Sequence, residues 1–416
     1  MPPSPLSPPP LFLSSISRSK RFSRGWWRRA CGGVLTVGLL VVASGGTLSV
    51  AQERQIILPV LAPLTGFVAL EGASQRNGAL LAVAAAPAGL TVEPVVLDTA
   101  TQPEIAVNAF NRGLAEAGGA GVALAISAPI LGTQMLALLP LAADAGVPLV
   151  TVSGTAAITE QDNPWVFRFF PGDAVVKAAQ ARFTVQELGL TRPALITQTT
   201  AYGQSGLAEL QAVFARLGVT PVASEAVDTS VKDLRPALQR ARAAGADSLI
   251  LHLHAPSTAL AVRQAAAMGL GLPIIAGSAM HQPATAALLE PAELEGVCAE
   301  TSASPLSGGN AAMVAFTTAY EEAFGAAPDA FAVGQYDAVQ AVLTVVAAGA
   351  DSPAAVRDAL ASNSFSGLAM TYRSDGTGNM AHSALIVCYD GQSRVPAIVR
   401  RYDNPLGPLA PLGSAN

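Results

Sequence analysis

The usual signatures of catalysis are missing from this chain of 416 residues. It has no G-x-S-x-G elbow, since Ser205 in Gly203-Gln204-Ser205-Gly206 lacks the second glycine at the required place. It has no Walker loop and no G-x-G-x-x-G, so nothing in it cradles a nucleotide phosphate. Cysteine is scarce: Cys31, Cys298 and Cys388 are the three present, and none has the spacing of a metal site. Beyond residue 51 no segment offers 18 uninterrupted apolar residues, which predicts no membrane span in the body. A hydrolase built from scattered Ser, His and Asp stays a remote alternative that no motif nominates.

Acidic residues are absent from the first 51 positions, and what stands there instead is informative. Arg18, Lys20, Arg21, Arg24, Arg28 and Arg29 precede the apolar run 34–42 and the small-residue segment 44–51. That order reads as a secretory signal, with Ser49, Val50 and Ala51 at the cleavage site and a mature chain starting near Gln52. The run is shorter than the roughly 20 apolar residues of a membrane anchor, and Gly45-Gly46 interrupts it. Cys31 precedes the apolar run, where a lipoprotein cysteine would follow it. Losing these six basic residues leaves 18 basic against 29 acidic, a net charge of −11. An acidic surface disfavours nucleic acid and anionic membrane as partners.

The remaining 365 residues exceed one ordinary core, so two lobes are expected. Short apolar runs at 56–61, 92–97, 122–126, 147–150, 194–197, 248–251 and 273–276 lack polar alternation, the mark of strands buried on both faces in a parallel sheet. Between them lie Ala-rich segments with helical spacing. Leu207, Leu210, Phe214 and Leu217 recur at three- and four-residue steps, with Gly218 placed to end the helix. Asp173 and Gly189 bracket another helix, and Gly146 closes the one before 147. The rhythm breaks at 167–173, with about four strand-helix units on each side. After 295 come a strand at 297–301, helices around 311–324 and 330–348, and short strands to 401. Residues 403–416 look like a tail.

Ligands of open parallel sheets sit beyond the carboxyl ends of the strands. Those ends carry Thr65, the 127–133 segment, Ser153 and Thr155, the 198–202 segment with Tyr202, His252 and His254, and Gly277-Ser278. Hydroxyls, amides, one tyrosine and two histidines suit hydrogen-bonded recognition better than acid-base chemistry, and no cluster of carboxylates is expected among them. Duller readings stand beside each: a polar turn at 153–155, an interface role for Tyr202, and solvent-facing or cleft histidines rather than a metal pair. Cys298 and Cys388 sit in apolar runs as buried small hydrophobes do, while an oxidising compartment leaves a disulfide open.

The ordered motifs Leu61-Ala62-Pro63-Leu64-Thr65-Gly66, 141–150, Gly154-Thr155, Val166-Phe167-Arg168, 201–206, Arg263-Gln264-Ala265, Glu295-Gly296 and Tyr336-Asp337-Ala338-Val339 resemble those of the leucine/isoleucine/valine-binding proteins. These are the type I periplasmic solute-binding proteins of ABC importers, and the similarity spans almost all of the mature chain. The resemblance implies two doubly wound parallel-sheet α/β lobes joined by three crossovers. Lobe I is expected at 52–172 and 303–366, and lobe II at 173–302 and 367–402. It also implies a periplasmic monomer that needs no cofactor or metal, catalyses nothing, traps a small organic solute and docks on an inner-membrane permease. A sensor module of the same fold is the alternative.

Carried over residue by residue, the family's ligand hydroxyls at a helix N-terminus fall on Ile130 and Leu131, though free backbone N–H groups there could still hold an anion. The turn binding the amino acid moiety falls on Ser153 and Thr155. The first-lobe aromatic cover falls on Glu71, the second-lobe tyrosine on His254, and the acidic partner of the ligand ammonium on Ser278. With that acid missing, a less zwitterionic ligand is expected: an aliphatic amide, a carboxylic acid or another modest solute. Glu71 is the one residue placed to supply the missing charge.

Overall fold

The computed structural model describes residues 54–120 and 123–408. The expected leader, its cleavage site and the end of the tail lie outside them. The chain first builds β1 (Arg54–Ala62), α1 (Ala69–Ala84), β2 (Leu90–Asp98), α2 (Pro103–Ala120), β3 (Ile126–Ser127), α3 (Gly132–Ala145), β4 (Leu149–Thr151) and β5 (Val166–Arg168). All five strands pair in parallel, in the order β2-β1-β3-β4-β5. Most of the apolar runs end up inside as their composition demands: Val60, Leu61, Ile126, Leu149 and Val150 have no exposed surface. Each such aliphatic side chain contributes about 1.5–3 kcal/mol through burial. The run at 92–97 does not end up inside: it forms the edge strand β2, with Val92 and Val95 half-buried and Val96 exposed.

The second set is α4 (Asp173–Arg182), β6 (Pro193–Gln198), α5 (Ala201–Arg216), β7 (Ala223–Val227), α6 (Arg235–Ala243), β8 (Ser248–His252), α7 (Ala255–Ala267), β9 (Ile274–Ala276), the single turn α8 (Pro283–Ala286) and β10 (Val297–Thr301). The chain then returns through α9 (Ala311–Phe324), α10 (Ala330–Ala347), α11 (Pro353–Ser362) and the hairpin β11 (Ser364–Ser366) and β12 (Thr371–Arg373). It finishes with β13 (Ala384–Cys388) and β14 (Ala397–Tyr402). The second sheet runs β14-β13-β10-β9-β8-β6-β7, with β13 antiparallel to both of its neighbours and the remaining pairs parallel. Three crossings therefore join the lobes: after β5, after β10 and before β13.

Two strands had no clear sequence signal. The edge strand β7 alternates partly buried and exposed positions and carries Ser224 and Glu225, so it never formed an apolar run. β5 (Val166–Arg168) overlaps the start of the expected break at 167–173, because its short apolar run ends at once in the buried, charged Arg168. The helix expected from Asp173 to Gly189 is α4 continued by a wider π turn, Phe183–Glu187. Helix α5 ends close to the predicted place, and Gly218 takes the left-handed conformation (φ 73°) that a side chain would resist.

The final boundary needs correction. Residues 367–381, expected in lobe II, pack on lobe I: Tyr372, Met380 and Ala381 join Leu58, Val60 and Phe169 in one core. The Tyr372 hydroxyl donates to Asp337 on α10 (2.9 Å), anchoring the hairpin there. Helix α10 is long and apolar enough to cross a membrane by length and composition, but it is packed against α1 and β4 within this core. Of the two readings open for the later cysteines, the structure takes the disulfide: Cys298 and Cys388 are direct partners in the β10–β13 ladder, with Cα atoms 4.0 Å apart.

Candidate functional site

The carboxyl ends of both sheets' strands face each other across a cavity of about 40 Å³. Its wall draws on the segments that follow β1 (Val68, Glu71), β3 (Ile130, Leu131, Gly132), β4 (Val152, Gly154), β6 (Tyr202), β8 (His254) and β9 (Ser278, Ala279). Phe170 and Asp173 from the first crossing, Val176 on α4, Glu300 on β10 and Phe331 on α10 complete it. Strand ends are where a parallel sheet leaves backbone and side-chain groups free to meet a ligand.

On the second-lobe side, Glu300 is 1 % exposed and pairs with the fully buried Lys177 (Nζ to Oε1, 2.7 Å). Ser278 donates to the same carboxylate twice, from its backbone N (3.1 Å) and its hydroxyl (2.6 Å). Lys177 also donates to Gln180 Oε1 (3.0 Å), so this charge pair is compensated and hydrogen-bonded. Asp173, at the start of α4, is different. It is 1 % exposed and its Oδ2 has no partner. Burial pushes its pKa up to about 7 against the pull of Lys177, the Ser205 hydroxyl and Arg168.

Tyr202 stacks on His252 (centroids 3.7 Å apart) and near His254 (5.2 Å), and burial raises the Tyr202 phenol well above its ordinary value. Burial also holds both imidazoles neutral, with His252 far below its usual range and His254 lowered to about 3. His252 donates from Nε2 to the Tyr202 carbonyl (3.0 Å), which leaves Nδ1 an unpartnered acceptor. Among the described residues no group of three or more His, Cys, Asp or Glu is arranged to hold a metal ion.

From the first lobe, Glu71 reaches across the cleft and accepts from the backbone N of Ala255 (2.9 Å), the first residue of α7. A carboxylate at a helix N-terminus meets unsatisfied N–H groups and the positive end of the dipole. Its second oxygen, Oε2, has no partner; the residue is 4 % exposed, and burial lifts its pKa to about 7. Three more contacts bridge the lobes. Ala156 N donates to Ser205 Oγ (2.8 Å), Gln282 donates to Asp329 (2.7 Å), and the Phe67 ring meets His254 (5.2 Å). The protein is in a closed form.

Six residues singled out from the sequence line this cavity together: Glu71, Ile130, Leu131, Tyr202, His254 and Ser278. Thr65 does not. It is exposed, and its hydroxyl donates to Asp98 (2.7 Å), tying down the loop after β1. Ser153 and Thr155 are buried beside lining residues but outside the lining itself, and both hydroxyls lack partners. Thr155 stands behind Gly132, where a β-carbon would come within 1.9 Å of its Oγ1, so only glycine fits.

The expectation of no carboxylate cluster is overturned. Asp173 and Glu300 join Glu71, and Glu300 stands behind Ser278 where the acid was thought missing. Sequence reasoning passed over both as structural, Asp173 as a helix start and Glu300 as part of a strand. The signal was present in Glu300 and Lys177, two charges set in otherwise apolar segments.

This fold, two sheets closing strand ends over a small cavity, is the fold of the two-lobed solute-binding proteins. The chain belongs to the periplasmic binding protein family, whose model matches residues 55–393. A Leu/Ile/Val-binding protein of Rhizobium johnstonii is 27% identical over 235 residues, 55% of this chain and 62% of that protein. A leucine-, isoleucine-, valine-, threonine- and alanine-binding protein of Pseudomonas aeruginosa is 24% identical over 237 residues, 56% of this chain and 62% of that protein. The matched stretch thus covers about three-fifths of these relatives' length. Among solved structures, a leucine-binding protein of Thermotoga maritima is similar over 84% of this chain and 99% of its own (TM-score 0.75, 25% identity). A Rhodopseudomonas palustris solute-binding protein in complex with 3,4-dihydroxybenzoic acid shares the fold over 84% of this chain and 97% of its own (TM-score 0.74, 21% identity).

Proposed function

We propose that this chain is the solute-capturing receptor of an ABC importer, exported and monomeric, which closes its lobes over a small organic solute and presents the closed form to a membrane permease. The reading rests on one observation: a small cavity between facing strand ends, bridged by lobe-to-lobe hydrogen bonds that Glu71, Ser205 and Asp329 accept. Its task is differential binding, because a ligand that touches both walls stabilises the closed state and nothing else. Glu71, Ile130, Leu131, Tyr202, His254 and Ser278 contact the solute, while Ser153 and Thr155 support the turn behind it. No bond is made or broken, and no cofactor is needed. Relatives named for branched-chain amino acids and a neighbour holding an aromatic acid support a ligand of that size.

The test is a thermal-shift screen of amino acids, amides, short carboxylic acids and amines, with small-angle scattering on each hit. A solute that raises the melting temperature with the logarithm of its concentration and shrinks the radius of gyration supports capture. A screen that yields binders with no change in dimension defeats it.

A further inference from the structure

The charges around the cavity set its preference. Its lining contains three carboxylates and no lysine or arginine. The two cations nearest to it are committed: Lys177 to Glu300 and Gln180, and Arg168 to the carbonyls of Gly154 (3.1 Å) and Thr155 (2.7 Å), to Thr159 and to Asn379. At the α3 N-terminus, where an anion would be held, Ile130 and Leu131 present hydrocarbon. The Ile130 N–H is already given to Gln75 Oε1 (3.0 Å). Among the side chains that line the cavity, the buried atoms without a partner are both carboxylate oxygens: Glu71 Oε2 on the first lobe and Asp173 Oδ2 on the second. An unpartnered buried acceptor loses its water without return until a donor reaches it.

Building on the receptor reading, we propose that the cleft takes a small primary amine without a carboxylate. Its ammonium donates to Glu71 Oε2 and Asp173 Oδ2, and its apolar body lies against Ile130, Leu131, Phe170 and Phe331. A group bonded to both carboxylates holds the lobes together, so the same contact gives affinity and closure.

Isothermal titration of the purified protein with isopentylamine, benzylamine, isovaleramide, isovalerate and leucine tests this, with scattering to follow closure. The amines are expected to bind and close the protein, with isopentylamine about thirty-fold or more tighter than its neutral counterpart isovaleramide. Glu71→Gln and Asp173→Asn should each lower the amine-to-amide affinity ratio by a similar factor, because a neutral ligand loses no charge pairing. The unmodified protein's amine-to-amide ratio needs no variant and stands even where a substitution disturbs folding. Isovalerate or leucine binding more tightly than either amine, with closure, overturns the amine assignment and leaves the receptor intact. Amines that bind without closure, or no tighter than the amide, overturn it equally.

Discussion

On its first-lobe side the cavity is faced by Val68, Ile130, Leu131, Val152 and Phe331, with Glu71 the one charged side chain from that lobe; on its second-lobe side it is faced by Asp173, Tyr202, His254, Ser278 and Glu300. The first wall gives shape and the second gives charge. Within the second wall there is a sharper contrast. Glu300 is buried with Lys177 and two hydrogen bonds from Ser278, whereas Asp173 is as deeply buried with one oxygen unmet. A saturated carboxylate is scaffolding. An unsaturated one is available to a ligand.

Four measurements would break or sharpen this contrast. The largest effect is expected from Lys177→Met, which leaves Glu300 buried without its cation. Urea unfolding should show a loss of about 3–5 kcal/mol, and adding Glu300→Gln should recover much of it. A loss below about 1 kcal/mol would mean Glu300 is not held as a compensated charge. Next is the disulfide, which ties two neighbouring second-lobe strands and closes a long loop that runs out through the first lobe. Replacing Cys298 and Cys388 together by Ala should cost about 2–5 kcal/mol, with hydrogen exchange speeding first in β13 and β14 rather than in the first sheet.

The third concerns pH. The carboxyls of Glu71 and Asp173 are raised from the usual 4.5 and 3.8 to about 7, so between those values the folded protein holds protons that the unfolded chain has released. The contribution of these two groups to stability without added solute is then fullest below about pH 4 and is lost as pH rises towards 7. Glu71→Gln and Asp173→Asn should each flatten part of that slope, read from thermal midpoints across pH 4 to 8 against other carboxylates' opposing trend. The smallest effect belongs to Thr65→Val, on an exposed loop outside the cavity. It should change stability by about 1 kcal/mol or less and leave every solute affinity unchanged.

Much of the architecture was legible because parallel strands buried on both faces must be written as unbroken apolar runs. β1, β6 and β8 were visible for that reason, while β7, at a sheet edge with Ser224 and Glu225, carried no such constraint. The site was half legible. Ile130, Leu131, Tyr202, His254 and Ser278 follow strand ends, and a strand end can be located from the run before it. Asp173 and Glu300 could not be assigned to the cavity in the same way, since each sits inside a regular element and a charge there reads as scaffold. Ser153 and Thr155 show the converse: their position in the chain was right, but side-chain direction moved them behind the wall.

The sequence by itself determined two lobes of α/β units and the family to which they belong, because local hydrophobic patterning and ordered motifs are properties of contiguous residues. Only the tertiary structure decided which buried carboxylate is paired, that Cys298 meets Cys388 across 90 residues, and that Glu71 caps a helix of the opposite lobe. Those outcomes depend on distances between segments far apart in the chain, and burial makes each of them energetically decisive.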